Sequence, residues 1–217
     1  MEEEIEEIVN QALKLQRKGE YQKAFEILNE AEKKADCISD DRKRRFLWGL
    51  IYHHRGRIFQ AMKKYNLALI NLEVALGCRE GDSIQYGYTI FQLYICKTYA
   101  GMKISTIEAK NTKIALWEIV AESKDFKQIG DVFQNLGYIE FQEENTEKAI
   151  MFYKIAKMLF EEANNERAIA LAWARLGECY KKLGKKQVAG RCGKTALKYF
   201  KEIGDVERIK QVKKNVL

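Results

Sequence analysis

Alanines recur at Ala31, Ala75, Ala115, Ala156 and Ala196, at intervals of 44, 40, 41 and 40 residues. Seven residues before each stand Ala24, Ala68, Glu108, Ala149 and Ala189, so a second column is alanine in four of its five places. A third column of small residues runs at the same intervals through Ala12, Gly56, Cys96, Gly137 and Gly177. Three small-residue columns in one register mean one structural unit repeated about five times.

That unit is helical. Ile5, Ile8, Val9, Ala12 and Leu15 make one stripe at helical spacing, and Ile150, Tyr153, Ile155, Ala156 and Leu159 make another. No sustained run alternates as a strand would. Breaks fall around Gly19, Asp40, Gly81-Asp82, Lys124-Asp125, Thr146, Asn164-Asn165, Gly184 and Gly204-Asp205. Asp, Asn and Thr at such places accept hydrogen bonds from helix N-termini, and glycine takes the left-handed conformation that ends a helix. Proline is absent, so every helix can run uninterrupted. Small side chains let two antiparallel helices approach closely while aromatics fill the space beside them. A single hairpin cannot bury its apolar face, but stacked hairpins can. In AWARLGECYKKLGKK (172–186), Gly177 is then small for close packing, Gly184 ends the helix, and Trp173 and Tyr180 are packing knobs.

These residues resemble a tetratricopeptide repeat array over nearly the whole chain. The family pattern is fullest as Trp173, Leu176, Gly177, Tyr180, Gly184, Ala189 and Ala196, and it is clear in Phe133, Leu136, Gly137, Ala149, Tyr153 and Ala156. The first repeat (Ala12, Gly19, Tyr21, Ala24, Ala31) is weaker, and the second has Gly56, Phe59, Tyr65, Ala68 and Ala75. The third is degenerate, with Glu108 in an alanine place. The period near 40 exceeds the usual 34 by about one and a half turns of helix. This longer form is similar to the repeats of kinesin light chains, spindle adaptors and peptide-sensing or maltose-type regulators. The proline that often ends a repeat is missing, and Asp125, Asn165 and Asp205 stand where caps are needed. The expected fold is an all-α, right-handed solenoid of five hairpins in a single domain, 1–217. The repeats lie near 5–39, 41–79, 83–123, 126–164 and 166–203. A capping helix at 205–217 closes the array, with Val206, Ile209 and Val212 on its apolar face.

The resemblance implies a protein-interaction scaffold or adaptor whose concave groove is lined by first helices. Family positions place Val9, Leu13 and Gln16 there from the first repeat, His53, Arg57 and Gln60 from the second, and Leu93 and Lys97 from the third. The fourth supplies Gln134, Tyr138 and Phe141, and the fifth Ala174, Glu178 and Lys181. Large aromatics anchor peptides, while Gln and Arg bond an extended backbone or a carboxylate. The same side chains could instead pack against neighbouring helices. The clamp that chaperone-tail adaptors of this family use would begin at Val9 and Leu13, which are apolar, so chaperone tails are disfavoured.

Charge adds a second surface. The net charge is +7, but residues 1–40 sum to −5 and residues 166–217 to +9. Arg191, Lys194, Lys198 and Lys201 form one helical stripe, and Lys182, Lys185 and Lys186 extend the basic end. Such a stripe is ordinarily a solvated face. Its functional alternative is a regulatory or sensor module, linked to transcription, that touches nucleic acid or an acidic partner without sequence readout. Head-to-tail association with an acidic N-terminal block is a third option.

Chemistry has little foothold. GRCGKT (190–195) lacks the first glycine of a phosphate loop, since Val188 stands there, and falls inside a helix. His53 and His54 are the only histidines and, as neighbours on a helix, point about 100° apart, which suits no shared metal. Five cysteines without a C-x-x-C pair read as free, buried thiols in a reducing compartment. No cofactor, no metal and no enzyme activity are expected. Apolar runs are too short to span a bilayer, which needs about 20 residues, and the N-terminus is acidic where a secretory signal is basic. The expectation is a soluble, cytoplasmic protein with a protein or peptide partner and no membrane contact.

Overall fold

The computed structural model describes residues 2–79 and 81–217, apart from the Arg17 side chain. Among these residues the chain is all helix and turn, with no strand. It divides into two compact units, Met1–Ala115 and Leu116–Leu217. The first holds α1 (Glu2–Lys18), α2 (Tyr21–Asp36), α3 (Asp41–Ala61), α4 (Tyr65–Cys78) and α5 (Ser83–Tyr99). Helix α6 (Thr106–Glu122) spans the division. The second holds α7 (Phe126–Gln142), α8 (Thr146–Glu162), α9 (Glu166–Lys182), α10 (Lys186–Glu202) and α11 (Val206–Asn215).

Within each unit the helices pair as hairpins, α1 with α2, α3 with α4, α7 with α8 and α9 with α10, and each hairpin packs on the next. The small-residue columns lie in these seams. Ala24, Ala31, Ala68, Ala75, Ala149, Ala156 and Ala196 are all fully buried. A Cβ placed on Gly137 would sit 2.8 Å from Tyr153 Cε1, and one on Gly130 would sit 2.7 Å from Phe160 Cε1. Both rings are buried, so the glycines make the space the rings fill.

Turns between hairpins and turns within them are built differently. Between hairpins an acidic or amide side chain caps the next helix. Asp40 accepts from the Lys43 N–H, Asp82 from Gln85, Asp125 from Lys127, Asn165 from Ala168 and Asp205 from Arg208, at 2.7–3.2 Å. Within hairpins the N-cap residues Glu20, Lys64, Asn145 and Lys185 make no such bond. Those turns rest on one left-handed residue alone, whereas Gly81, Asn164 and Gly204 between hairpins are left-handed beside a cap. Gly184 (φ 73°) supplies it in the last hairpin, but Lys63 (φ 59°) and Glu144 (φ 66°) do so without being glycine.

The Glu108 departure has a local cause. Ser105 Oγ accepts from the Glu108 N–H at 3.1 Å, and Glu108 Oε2 accepts from the Ser105 N–H at 2.9 Å, a closed capping box at the start of α6. The same carboxylate accepts from Lys97 Nζ at 2.6 Å. Lys97 and these Ser105 bonds hold its pKa down to about 2.

The terminal helix corrects one expectation. Val206 is 62% exposed and does not face the core. The covered side is instead Ile209, Val212 and Val216, with Val216 seated where Gly177 and Gly193 leave room. Gly193 is therefore a packing glycine. The cysteines also differ in part. All five are free, but only Cys96, Cys179 and Cys192 are buried, while Cys37 is exposed and Cys78 half-buried.

Candidate functional site

In the first unit, much of the expected groove set is engaged internally. His53 is buried, with its Nδ1 3.2 Å from Arg79 Nη1 and 3.2 Å from Thr89 Oγ1. Arg79, itself buried, also donates to the Gln85 carbonyl at 2.9 Å and to Thr89. Arginine can only donate, so His53 Nδ1 is assigned as a bare acceptor and the ring as neutral. Burial, then the Arg79 charge, hold His53 well below the usual histidine range. His54 is buried as well and is lowered to about 3 by burial, with Arg57 and Arg79 adding to it. Burial alone lowers even Arg79, to about 10. His53 is thus a core residue of a buried polar cluster. The Gln60 amide pairs with Gln92 of α5, and Lys97 is held by Glu108. Val9 and Leu93 are buried, while Leu13, Gln16 and Arg57 are half-buried.

A second buried ion cluster was not anticipated. Arg55, 6% exposed, pairs with Glu32 at 2.6 Å, bonds Asn29, and lies 5.4 Å from the Phe25 ring centroid and 5.1 Å from that of Tyr52. Nothing in the sequence separates Arg55 or Arg79 from surface arginines, because each partner comes from another helix.

The second unit gathers its predicted residues better. Helices α7 and α9 lay Tyr138 beside Arg175 and Phe141 beside Lys182, with Gln134 one turn before Tyr138 on α7. The Arg175 guanidinium sits 5.7 Å from the Tyr138 ring centroid and donates to Glu178 at 2.7 Å. Lys182 Nζ lies 4.9 Å over the Phe141 ring. Asn215 of α11 donates to Glu178 at 3.3 Å. The Gln134 Oε1 is buried and has no hydrogen-bond partner among the described residues. An acceptor left so costs free energy until an N–H reaches it. One turn earlier, Asp131 is raised by burial despite its 2.9 Å bond from Lys127. Ala174 is buried, and Lys181 is exposed. Arg175 was missed because the family pattern gives its place no role.

The basic residues separate. Lys182 stands with Phe141 and 3.9 Å from Glu144. Lys185, Lys186, Arg191, Lys194, Lys198 and Lys201 are exposed, the last four along one side of α10. Gly190–Thr195 is helical throughout, with Cys192 and Gly193 buried, so the segment cannot cradle a phosphate. Among the described residues no group of three His, Cys, Asp or Glu side chains is placed to hold a metal ion.

No family model matches the chain, and no curated protein matches it either. Solved structures do. One is Bacillus thuringiensis PlcR in complex with the peptide PapR7 and DNA, at TM-score 0.75 and 16% identity, covering 97% of this chain and 74% of that one. A second is a Rap protein complexed with competence and sporulation factor, at 0.74 and 15%, covering 94% and 56%. A third is the set of kinesin light chain repeats of Podosopora anserina, at 0.58 and 13%, covering 94% and 97%. The fold is tetratricopeptide-like. At these identities the likeness is one of fold alone. No described helix of this tetratricopeptide-like chain is long and apolar enough to cross a membrane.

Proposed function

We propose that the chain is a non-catalytic interaction module of the cytoplasm that holds a peptide or helical segment of a protein partner against the α7/α9 face. The observation that carries this reading is the buried, unpartnered Gln134 carboxamide oxygen beside the Tyr138–Arg175–Glu178 and Phe141–Lys182 contacts. An extended backbone N–H would satisfy that oxygen once the half-buried Gln134 side chain turns outward, and Arg175 and Lys182, which lie over the Tyr138 and Phe141 rings, would donate to carbonyls or a carboxylate of the same segment. A similar fold occurs in PlcR, solved in complex with the peptide PapR7 and DNA, and in a Rap protein complexed with competence and sporulation factor.

The test is selection of a display library of short linear peptides on the purified chain. Selected peptides should lose affinity by about tenfold or more on Gln134→Leu. That variant removes no internal bond of the Oε1 atom, so its melting should stay near wild type. Tyr138→Ala is less clean, because Tyr138 is 8% exposed and its loss would open the core. Failure to select any peptide, or equal binding by Gln134→Leu, would remove this reading.

A second reading rests on α10. Arg191, Lys194, Lys198 and Lys201 are exposed at i, i+3, i+7 and i+10. A regulatory module using this stripe would contact phosphates, and four contacts to duplex DNA give a log–log salt slope of about −3 to −4. Arg191→Glu/Lys198→Glu should flatten that slope by about two units if the stripe binds. Absence of any anisotropy change with duplex or single strand at low salt would exclude it.

A further inference from the structure

We propose that Asn215, the last residue of α11, is a positioning residue for the α7/α9 face: it fixes the Glu178 carboxylate and, through it, the Arg175 guanidinium beside Tyr138. The role rests on that face being the peptide site. Helix α11 is ten residues long, too short to persist alone in water, so it forms by docking. It docks along α9. At its start, Arg167 of α9 donates through Nε and Nη2 to Asp205 Oδ2 at 3.1 and 2.9 Å, and Asp205 Oδ1 caps α11 at the Arg208 N–H. At its end, Asn215 Nδ2 donates to Glu178 Oε1 of α9 at 3.3 Å. The two ties come in the same order along both helices, so α11 runs beside α9 in the same direction.

Between the ties, packing sets the depth. Val212 and Val216 are buried in one cluster with Ala170 and Ala174 of α9 and with Ala196 and Phe200 of α10. A Cβ on Gly177 would lie 2.6 Å from Val216 Cγ1, and one on Gly193 would lie 2.9 Å from the same atom. Glycine at both places lets Val216 sit deep, and Val216 brings its neighbour Asn215 to α9. Covering the end of the last hairpin needs only these apolar contacts. The Asn215 bond adds something else, because it reaches the α9 carboxylate that holds Arg175.

The Glu178 side chain is 17% exposed, and its two oxygens are divided between two helices. Oε2 accepts from Arg175 Nη1 at 2.7 Å, and Oε1 accepts from Asn215. A carboxylate held from both sides keeps one orientation, and the guanidinium it binds is set 5.7 Å from the Tyr138 ring centroid. Without the Asn215 donor, Glu178 and Arg175 can turn together. A segment that uses Arg175 must then order the pair as it binds, which weakens binding. Linkage runs both ways: a segment that fixes Arg175 must tighten the docking of α11 by the same factor.

The experiment is a double-mutant cycle on the full chain with two readouts. One is affinity for a library-selected peptide. The other, in the peptide-free chain, is solvent exchange of the Arg175 Nε–H followed by nitrogen NMR. Asn215→Ala should weaken the peptide by about 3- to 10-fold, the range for a single hydrogen bond, and should speed Arg175 exchange. Asn215 is exposed, so this variant should melt near wild type. Gly193→Leu fills the Val216 slot from α10 and should act in the same direction; if it fails to fold, Asn215→Ala decides alone. In a Glu178→Ala background Asn215→Ala should have no further effect, because Asn215 acts through that carboxylate. A merely structural role for α11 would leave the two substitutions additive. Unchanged affinity in Asn215→Ala, or a loss that persists undiminished without Glu178, would overturn the proposal. Failure to select any peptide would instead remove the α7/α9 reading, and Arg175 exchange in the free chain would still decide whether Asn215 holds the pair.

Discussion

Phe160→Ala is expected to cost the second unit about 3–5 kcal/mol, the range for emptying a fully buried aromatic site. Phe160 is 0% exposed and packs with Ala156, Ile169, Ala172, Phe133, Trp173 and Tyr199. Urea unfolding followed by tryptophan fluorescence reads the loss, since Trp173 lies in the same cluster. The partner substitution gives the sharper result. Alanine is a better helix former than glycine by about 1 kcal/mol, so Gly130→Ala should stabilise wherever there is room. With Phe160 present there is none, because the new Cβ would lie 2.7 Å from the ring, and overpacking of this kind costs about 1–3 kcal/mol. Gly130→Ala should therefore destabilise the wild type and stabilise Phe160→Ala. Additive effects of one sign would mean that the small-residue column is not made by the rings facing it.

Acid should weaken the first unit before its carboxylates begin to titrate. The His54 pKa is lowered from an ordinary 6.5 to about 3, chiefly by burial. Between those values the unfolded chain binds a proton that the folded chain refuses, so stability falls as pH falls. One such group contributes about 1.4 kcal/mol per pH unit, hence about 2–3 kcal/mol between pH 6.5 and 4.5. His53 is lowered in the same direction and steepens the fall. Below about 4.5 Glu108 joins, because its folded pKa is held to about 2 and its pairing is lost on protonation. Urea midpoints followed through Trp48, the tryptophan of this unit, should decline with pH in wild type and decline less in His54→Leu. His54 Nδ1 has no partner among the described residues, so His54→Leu should cost little at pH 8. A flat profile above pH 5 would show that the two rings are not buried as described.

Much of the fold was legible because the same packing problem is solved repeatedly. The buried alanines and glycines mark each hairpin seam, and the Asx residues before α3, α5, α7, α9 and α11 announce their caps. What escaped is what one repeat does alone. The turn at Lys63 and Lys64 carries no sequence sign, since lysine takes the left-handed conformation there. Val206 looked apolar by spacing, but the last helix is held by Val216, beyond its regular end. Glu108 looked like decay of the motif, and its reason is a capping box shared with Ser105 and Lys97.

The site was legible by half. Family positions located Gln134, Tyr138, Phe141 and Glu178 together on one face. They also offered His53, Gln60 and Lys97, whose partners Arg79, Gln92 and Glu108 come from other helices. Arg175 completes the α7/α9 arrangement only through its contact with Tyr138, a proximity that spacing along one helix cannot express.

The central claim is that the α7/α9 face receives a peptide. Its most direct measurement is a titration of a library-selected peptide into nitrogen-labelled protein, followed by amide resonances including side-chain carboxamides. The account predicts saturable shifts of the Gln134 carboxamide and of backbone amides in α7 and α9, with α10 unmoved. Shifts confined to Arg191–Lys201, or none at Gln134 when binding is saturated, would contradict it.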